Sequence, residues 1–226
     1  MPKDLSTGIC NSRIRIVTLG DISVFFSEID SRSLDANNTN VINHQKVVDI
    51  IFKQSQSIIP CRFATFFPDI EDIIIFLKEN MKILNEYLSK LEGKAEISIK
   101  ILFDIKNIDI KSRDNKEVKI QNGMNYLMNK KRKHDNIKKL KDISGDLKQK
   151  LDKILIPHSS EVISSVKIIK RMLIRNICYL IEQDQLESFK YSYQQFRNNN
   201  PDLRLLYSGP WPPYTFANIN LWKGLE

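Results

Sequence analysis

Nucleophilic chemistry needs an activated side chain, and the sequence offers thiols at Cys10, Cys61 and Cys178 and imidazoles at His44, His134 and His158. Cys61 and His44 are the combination that could act as nucleophile and base. A thiol inside an apolar run is a packing group first, so Cys61 is expected to be buried and inert. His44 lies near the apolar face of a helical pattern and is expected to be packed or hydrogen-bonded. The three cysteines are far apart with no Cys-x-x-Cys spacing, which predicts reduced thiols and no metal site. No phosphate-binding glycine loop, dinucleotide fingerprint, His-Glu-x-x-His or Gly-x-Ser-x-Gly is present. Acidic residues fall mostly on polar faces without a convincing pair. No catalytic residue and no cofactor is expected, and the chain is not expected to be an enzyme.

Binding chemistry is better represented. The chain carries a net charge of +8, and Asn129 to Lys153 holds ten lysine or arginine residues against four aspartates, a net of +6. Such a run predicts a solvated, lysine-rich helix face; the alternative is a patch for nucleic acid or another anionic surface. "RFATFF" is similar in part to the aromatic RNP1 strand of RRM domains, which gives that alternative its form, a basic ferredoxin-like nucleic-acid-binding module. The glycine after the basic residue is missing, however, and Pro60 and Pro68 bracket the run, so nucleic acid is not the expected partner. Arg62 lies in the same apolar stretch and needs a carboxylate or several carbonyls, with Glu96 the first choice of partner and Asp69 and Glu71 the second. The C-terminal "YSGPWPPYTF" sets Trp211, Pro212, Pro213, Tyr214 and Phe216 in a stiff segment that is neither helix nor central strand. It is expected to pack as a lid, with Trp211 and Tyr214 largely buried; the functional alternative is an aromatic recognition surface. Trp211 and Trp222 are the two tryptophans of the chain.

These residues must be positioned by a mixed α+β chain. Apolar residues make up 42% of the sequence, enough for a packed core. No run reaches the length of a membrane span and Met-Pro-Lys-Asp is no signal peptide, so the expected compartment is the cytoplasm, with no membrane partner. β-branched runs either side of Gly20-Asp21 predict a hairpin. Val41 to Gln54 predicts a helix capped by Thr39 or Asn40. "SIIPCRFATFF" predicts a buried strand or tight connection. Ile70, Ile73, Ile74, Leu77, Met81, Leu84, Leu88 and Leu91 mark a helix that Asp69 caps and Gly93 ends. "AEISIKILF" alternates as a half-buried strand.

Lys106 to Gln121 is charged and weakly patterned, and the domain boundary is placed there, giving domains 1–108 and 109–226. "NGMNYLM" opens a helix or forms a short strand. Ile137, Leu140, Leu147, Leu151 and Ile154 then carry a helix with a possible break at Ser144-Gly145. Two strands, "EVISSVKII" and "MLIRNICYLIE", a helix at "LESFKYSYQQF" and a strand at "LRLLYSG" follow. This is most of a βαββαβ set, so both domains are read as small antiparallel sheets with helices on one face, in a modified ferredoxin-like topology.

Three stretches, "SIIPCRFATFF", "LEGKAEISIKI" and "LLYSGPWPPYTF", occur in an order that resembles the gas vesicle protein GvpF/GvpL family. The motifs fall on Ile59 to Thr65 (with Arg62 and Phe63), on Gly93 to Lys100 (with Glu96), and on Ser208 to Phe216. The likeness covers nearly the whole chain, and the last motif is highly specific. It implies a two-domain modified ferredoxin-like fold. It also implies a non-enzymatic accessory or minor component of gas vesicles in the cytoplasm, with contacts to the small hydrophobic shell protein and to other gas vesicle accessory proteins. The sequence departs from the family in three respects: Gly8-Ile9 come almost at once, where members have a preceding strand; Ala64 stands where they have glycine; and the chain is markedly basic. A missing first strand would leave an open sheet edge in the N-terminal domain, able to hold an apolar partner.

Overall fold

The computed structural model describes residues 7–30, 38–105 and 122–217. The chain contains strands β1 (Ile14–Leu19) and β2 (Ile22–Ser27), then helices α1 (Asn38–Gln54) and α2 (Ile70–Leu91). Strand β3 (Lys94–Asp104), helix α3 (Asn122–Leu155) and strands β4 (Glu161–Ile169) and β5 (Met172–Glu182) follow. Helix α4 (Leu186–Asn198) and strand β6 (Leu205–Trp211) complete it. The fold is α+β with two antiparallel sheets. Among the described residues no helix is long and apolar enough to cross a membrane.

Two compact units are present: Met1–Glu96 with Pro210–Glu226, and Ile97–Gly209. The boundary expected at 106–121, like the sequence before Thr7 and Trp222, lies outside the described residues. The two units do not divide the chain into sequential halves. They part inside β3, and the Pro/aromatic arm counts with the first unit although it follows the second in sequence.

In the first unit β1 and β2 pair antiparallel from Ile14↔Ser27 to Leu19↔Ile22. Gly20, at φ +60°, turns the chain between them. Side chains alternate across this hairpin, so it feeds two clusters. Val17, Leu19, Ile22, Val24 and Phe26 pack with Ile73, Leu77 and Leu84 of α2. Ile14 and Phe25 pack with Val47, Ile50 and Ile51 of α1. Helix α2 follows its stripe: the Asp69 carboxylate accepts the Asp72 N–H at 2.9 Å, and Gly93, at φ +65°, lies just past its end. Helix α1 begins at Asn38, so neither Thr39 nor Asn40 is its cap. The buried Asn40 side chain instead accepts the Cys10 N–H at 3.0 Å.

The segment between α1 and α2 is an irregular connection, not a strand. Its turn closes where the Arg62 carbonyl accepts the N–H of Thr65 at 3.3 Å and the Thr65 hydroxyl at 2.9 Å. Ala64 takes the third position of this turn at φ +67°. That is left-handed backbone, which glycine adopts without penalty and alanine does not.

In the second unit the strand order is β4-β5-β3-β6. With α3 and α4 this is a full βαββαβ set. Its first strand is β3, which local reading assigns to the preceding domain. Ile97, Ile99 and Ile101 of β3 and Ile177, Tyr179 and Ile181 of β5 meet Leu147, Leu151 and Leu155 of α3 and Phe189, Tyr193 and Phe196 of α4. β3 is buried on both faces rather than half-buried, because Glu96 and Ser98 on its other face are covered as well. Ser98 donates to Asn176 Oδ1 at 2.7 Å.

Helix α3 runs through Ser144-Gly145 unbroken. Arg175 of β5 docks there, donating from Nε to Ser144 Oγ at 2.9 Å and from Nη2 to the Lys141 carbonyl at 3.3 Å. Ser144 serves as an acceptor for the guanidinium, not as a helix break. Leu155, not the exposed Ile154, takes the next core position. Lys130, Lys131, Arg132, Lys138, Lys139 and Lys141 are exposed along this helix.

The strained alanine gives a direct test. Ala64→Gly is expected to raise stability by about 1 kcal/mol, the left-handed penalty less the glycine's greater unfolded-state freedom. Urea denaturation measures it, and a less stable variant would show that the turn carries no strain.

Candidate functional site at the C-terminal arm

Strand β6 delivers the chain to Trp211, and Pro212 and Pro213 then deny it any further ladder donor. The backbone folds back on itself at once. The Pro212 carbonyl accepts the Tyr214 N–H at 2.8 Å, and the Pro213 carbonyl accepts the N–H groups of Phe216 at 3.2 Å and Ala217 at 2.9 Å. This turn presents Thr215 to Glu96, whose residue is only 6% exposed. Glu96 Oε2 accepts the Thr215 N–H at 2.8 Å and Oε1 accepts the Thr215 hydroxyl at 2.7 Å. Both carboxylate oxygens are satisfied by one residue, as burial of a charge requires.

The flanking side chains are sorted by this clasp. Pro212, Pro213, Phe216 and Ala217 are buried. Tyr214 is half-buried and donates its hydroxyl to Gln45 Oε1 of α1 at 3.3 Å, while Gln45 Nε2 donates to Asp49 at 2.8 Å. Burial first, then the charge of Asp49, pushes the Tyr214 phenol well above its ordinary pKa, so it remains a donor. Trp211, expected to be buried, is 42% exposed. It precedes the two prolines and stays on the strand's end, outside the turn that carries the rest of the arm inward.

Arg62 and Phe63 belong to the connection before α2. The expected Arg62–Glu96 pair does not form. The Thr215 donors hold both Glu96 oxygens, and Arg62, in its turn with Thr65, is exposed to solvent. Phe63 is half-buried and stands edge-on to the His44 ring, with centroids 5.8 Å apart. His44 Nε2–H donates to the Cys61 carbonyl at 3.0 Å, not to the thiol. Burial pushes the Cys61 thiol up to about 11, so it stays protonated. This pair is a structural contact, not a nucleophile and base. Gln45, Asp49 and Thr215 are the site residues that sequence reading misses. Thr215 is 119 residues from Glu96, and no periodicity announces it.

The profile of the gas vesicle synthesis protein GvpL/GvpF family matches residues 1–218. Gas vesicle protein F of Microcystis aeruginosa (strain PCC 7806) is 25% identical over 223 residues, covering 94% of this chain and 91% of its own length. The crystal structure of the gas vesicle protein GvpF from Anabaena sp. PCC7120 matches with a TM-score of 0.78 at 22% identity, over 97% of this chain and 92% of that one. The crystal structure of gas vesicle protein GvpF from Microcystis aeruginosa matches with a TM-score of 0.75 at 24% identity, over 97% and 95%. The two crystal structures share this fold.

Two outcomes follow from the geometry. Glu96→Ala strands two donors and is expected to cost about 2 kcal/mol, and Thr215→Val, which loses one, about 1 kcal/mol; equal urea midpoints for wild type and both variants would show that the clasp holds nothing. His44 supplies a pH dependence. Desolvation holds its folded pKa below 6.5, partly opposed by the Cys61 bond. The unfolded chain therefore takes up a proton at His44 before the folded one does, and stability present above about pH 6.5 is lost as pH falls below that value. Between pH 7 and pH 5, His44→Gln is expected to flatten the melting-temperature profile relative to wild type.

Proposed function

The chain belongs to the gas vesicle synthesis protein GvpL/GvpF family, and from that membership we propose that it is a non-enzymatic accessory protein that contacts the small hydrophobic shell protein through Trp211. The coarse role, gas vesicle synthesis, rests on family membership. The finer one rests on a single observation, the exposure of Trp211 on an arm whose next residues are locked. An aromatic held at the end of a strand loses little freedom on binding, because its backbone is already ordered. Large aromatics in that condition are the usual energetic anchors of protein interfaces. Free shell subunits are apolar by family and need their surfaces covered until they enter a growing shell. An exposed indole beside an ordered backbone suits brief capture of such a surface. Other gas vesicle accessory proteins are further partners the same arm would serve.

Trp211→Ala is expected to weaken co-purification with shell protein by roughly 30-fold, about 2 kcal/mol, as for an interface anchor. Its melting temperature is expected to stay close to wild type, since the buried parts of the arm are untouched. In a Trp222→Phe background, Trp211 fluorescence is expected to be red and readily quenched, and to shift blue when shell protein is added. Unchanged capture of shell protein by the Trp211→Ala variant would remove Trp211 from the contact and leave the family role standing.

A further inference from the structure

Among the described residues, strand β4 is the outermost strand of the second unit's sheet, bonded to β5 on one side. It is nine residues long and contains neither proline nor glycine. The opposite outer strand, β6, includes Gly209 and Pro210, which weaken it as a template. Ile163, Ile168 and Ile169 of β4 are 37%, 43% and 53% exposed. A long edge with aliphatic side chains pairs readily with another strand unless a charge prevents it. Lys167 is that charge, and it stands on the same face as Glu161, because residues six apart in a strand share a face.

We propose that β4 pairs antiparallel with β4 of a second copy of this chain, about a two-fold axis at Ser164. In this register Glu161 stands directly opposite the second copy's Lys167, and the symmetry repeats the pair on the other side. Val162 then opposes Val166, Ile163 opposes Ser165, and Ser164 opposes itself. Neighbouring registers lose this complementarity. An axis at Ser165 sets Lys167 against Ile163 and Glu161 against Ile169. An axis at Val166 pairs Ile163 with Ile169 but brings the two copies of Lys167 into diagonal contact, where like charges repel. The lysine that discourages chance pairing thus selects one partner, a strand with a carboxylate six residues before its own lysine. Two sheets joined in this way form one eight-stranded sheet, and the interface is isologous, as a symmetric dimer requires.

The inference is independent of the shell-protein reading, since β4 and the Trp211 arm belong to different units. Light scattering on the full chain is expected to show a concentration-dependent dimer. In a Cys10→Ser background, which removes the exposed native thiol, Ser164→Cys is expected to form a disulfide-linked dimer with oxidised glutathione, and Val166→Cys is not. Lys167→Glu and Glu161→Lys are each expected to weaken the dimer roughly tenfold by setting like charges opposite. The double swap, Glu161→Lys with Lys167→Glu, is expected to restore it, which a folding defect in either single variant would not allow. A wild-type chain that stays monomeric at high micromolar concentration overturns the proposal. Cross-linking through position 166 instead of 164, or no effect of the charge reversals, does the same. So does a β4 edge that pairs with shell protein but never with itself.

Discussion

A carboxylate taken out of water must be met by donors, and at Glu96 one residue supplies both. The satisfaction is mutual. Beyond two prolines the Thr215 N–H has left the strand ladder, and Glu96 is its acceptor. This exchange anchors the arm's turn, which its own backbone bonds to the Pro212 and Pro213 carbonyls close. With Thr215 pinned, Phe216 and Ala217 go into the core, the Tyr214 hydroxyl reaches Gln45, and Trp211 remains at the strand's end with its indole partly in solvent. The exposed aromatic is thus a product of the buried charge. If the arm were held only by apolar contacts, it could slide, and no single side chain would be presented in one place.

Strand β3 carries the other constraint. It is one unbroken strand, yet Ala95 and Glu96 belong to the first unit and Ile97 onwards to the second. A strand buried on both faces usually reads as continuous hydrophobic sequence. This one includes Glu96 and Ser98, and each has a specific partner, Thr215 for the first and Asn176 for the second. These polar residues give the strand an alternating pattern that looks like one wet face. The pattern reports chemistry that is satisfied inside, not contact with water.

What could be read from sequence was what is local. Helix α2 shows its stripe, its Asp69 cap and its glycine stop within one stretch, and all three signals agree. The β1–β2 hairpin shows its turn dipeptide between two β-branched runs. The arm shows its stiffness through its prolines. What could not be read depends on residues distant in the chain. Ser144-Gly145 resembles a helix break until Arg175 is brought beside it. Arg62 looks buried because its neighbours are apolar, and only the turn at Ala64 carries it to solvent. β3 looks like the end of one domain because nothing local shows that it pairs between β5 and β6. The exposure of Trp211 escaped for the same reason: burying an aromatic is the better prior, and the clasp that decides otherwise spans 119 residues.

The membership of the first unit has a consequence for how the chain is made. Residues 97–209 form a unit from continuous sequence, whereas the first unit draws on residues before 97 and after 209. A nascent chain leaving the ribosome can therefore complete the second unit while the first still lacks its closing piece. The first unit's core clusters can gather early, but Glu96 stays without its donors until Thr215 has been synthesised and released. The residues that set Trp211 in place emerge after residues 97–209. A product cut short before Thr215 would thus carry the second unit without the contact that orders the arm, so the indole is presented only by chains that extend past Thr215.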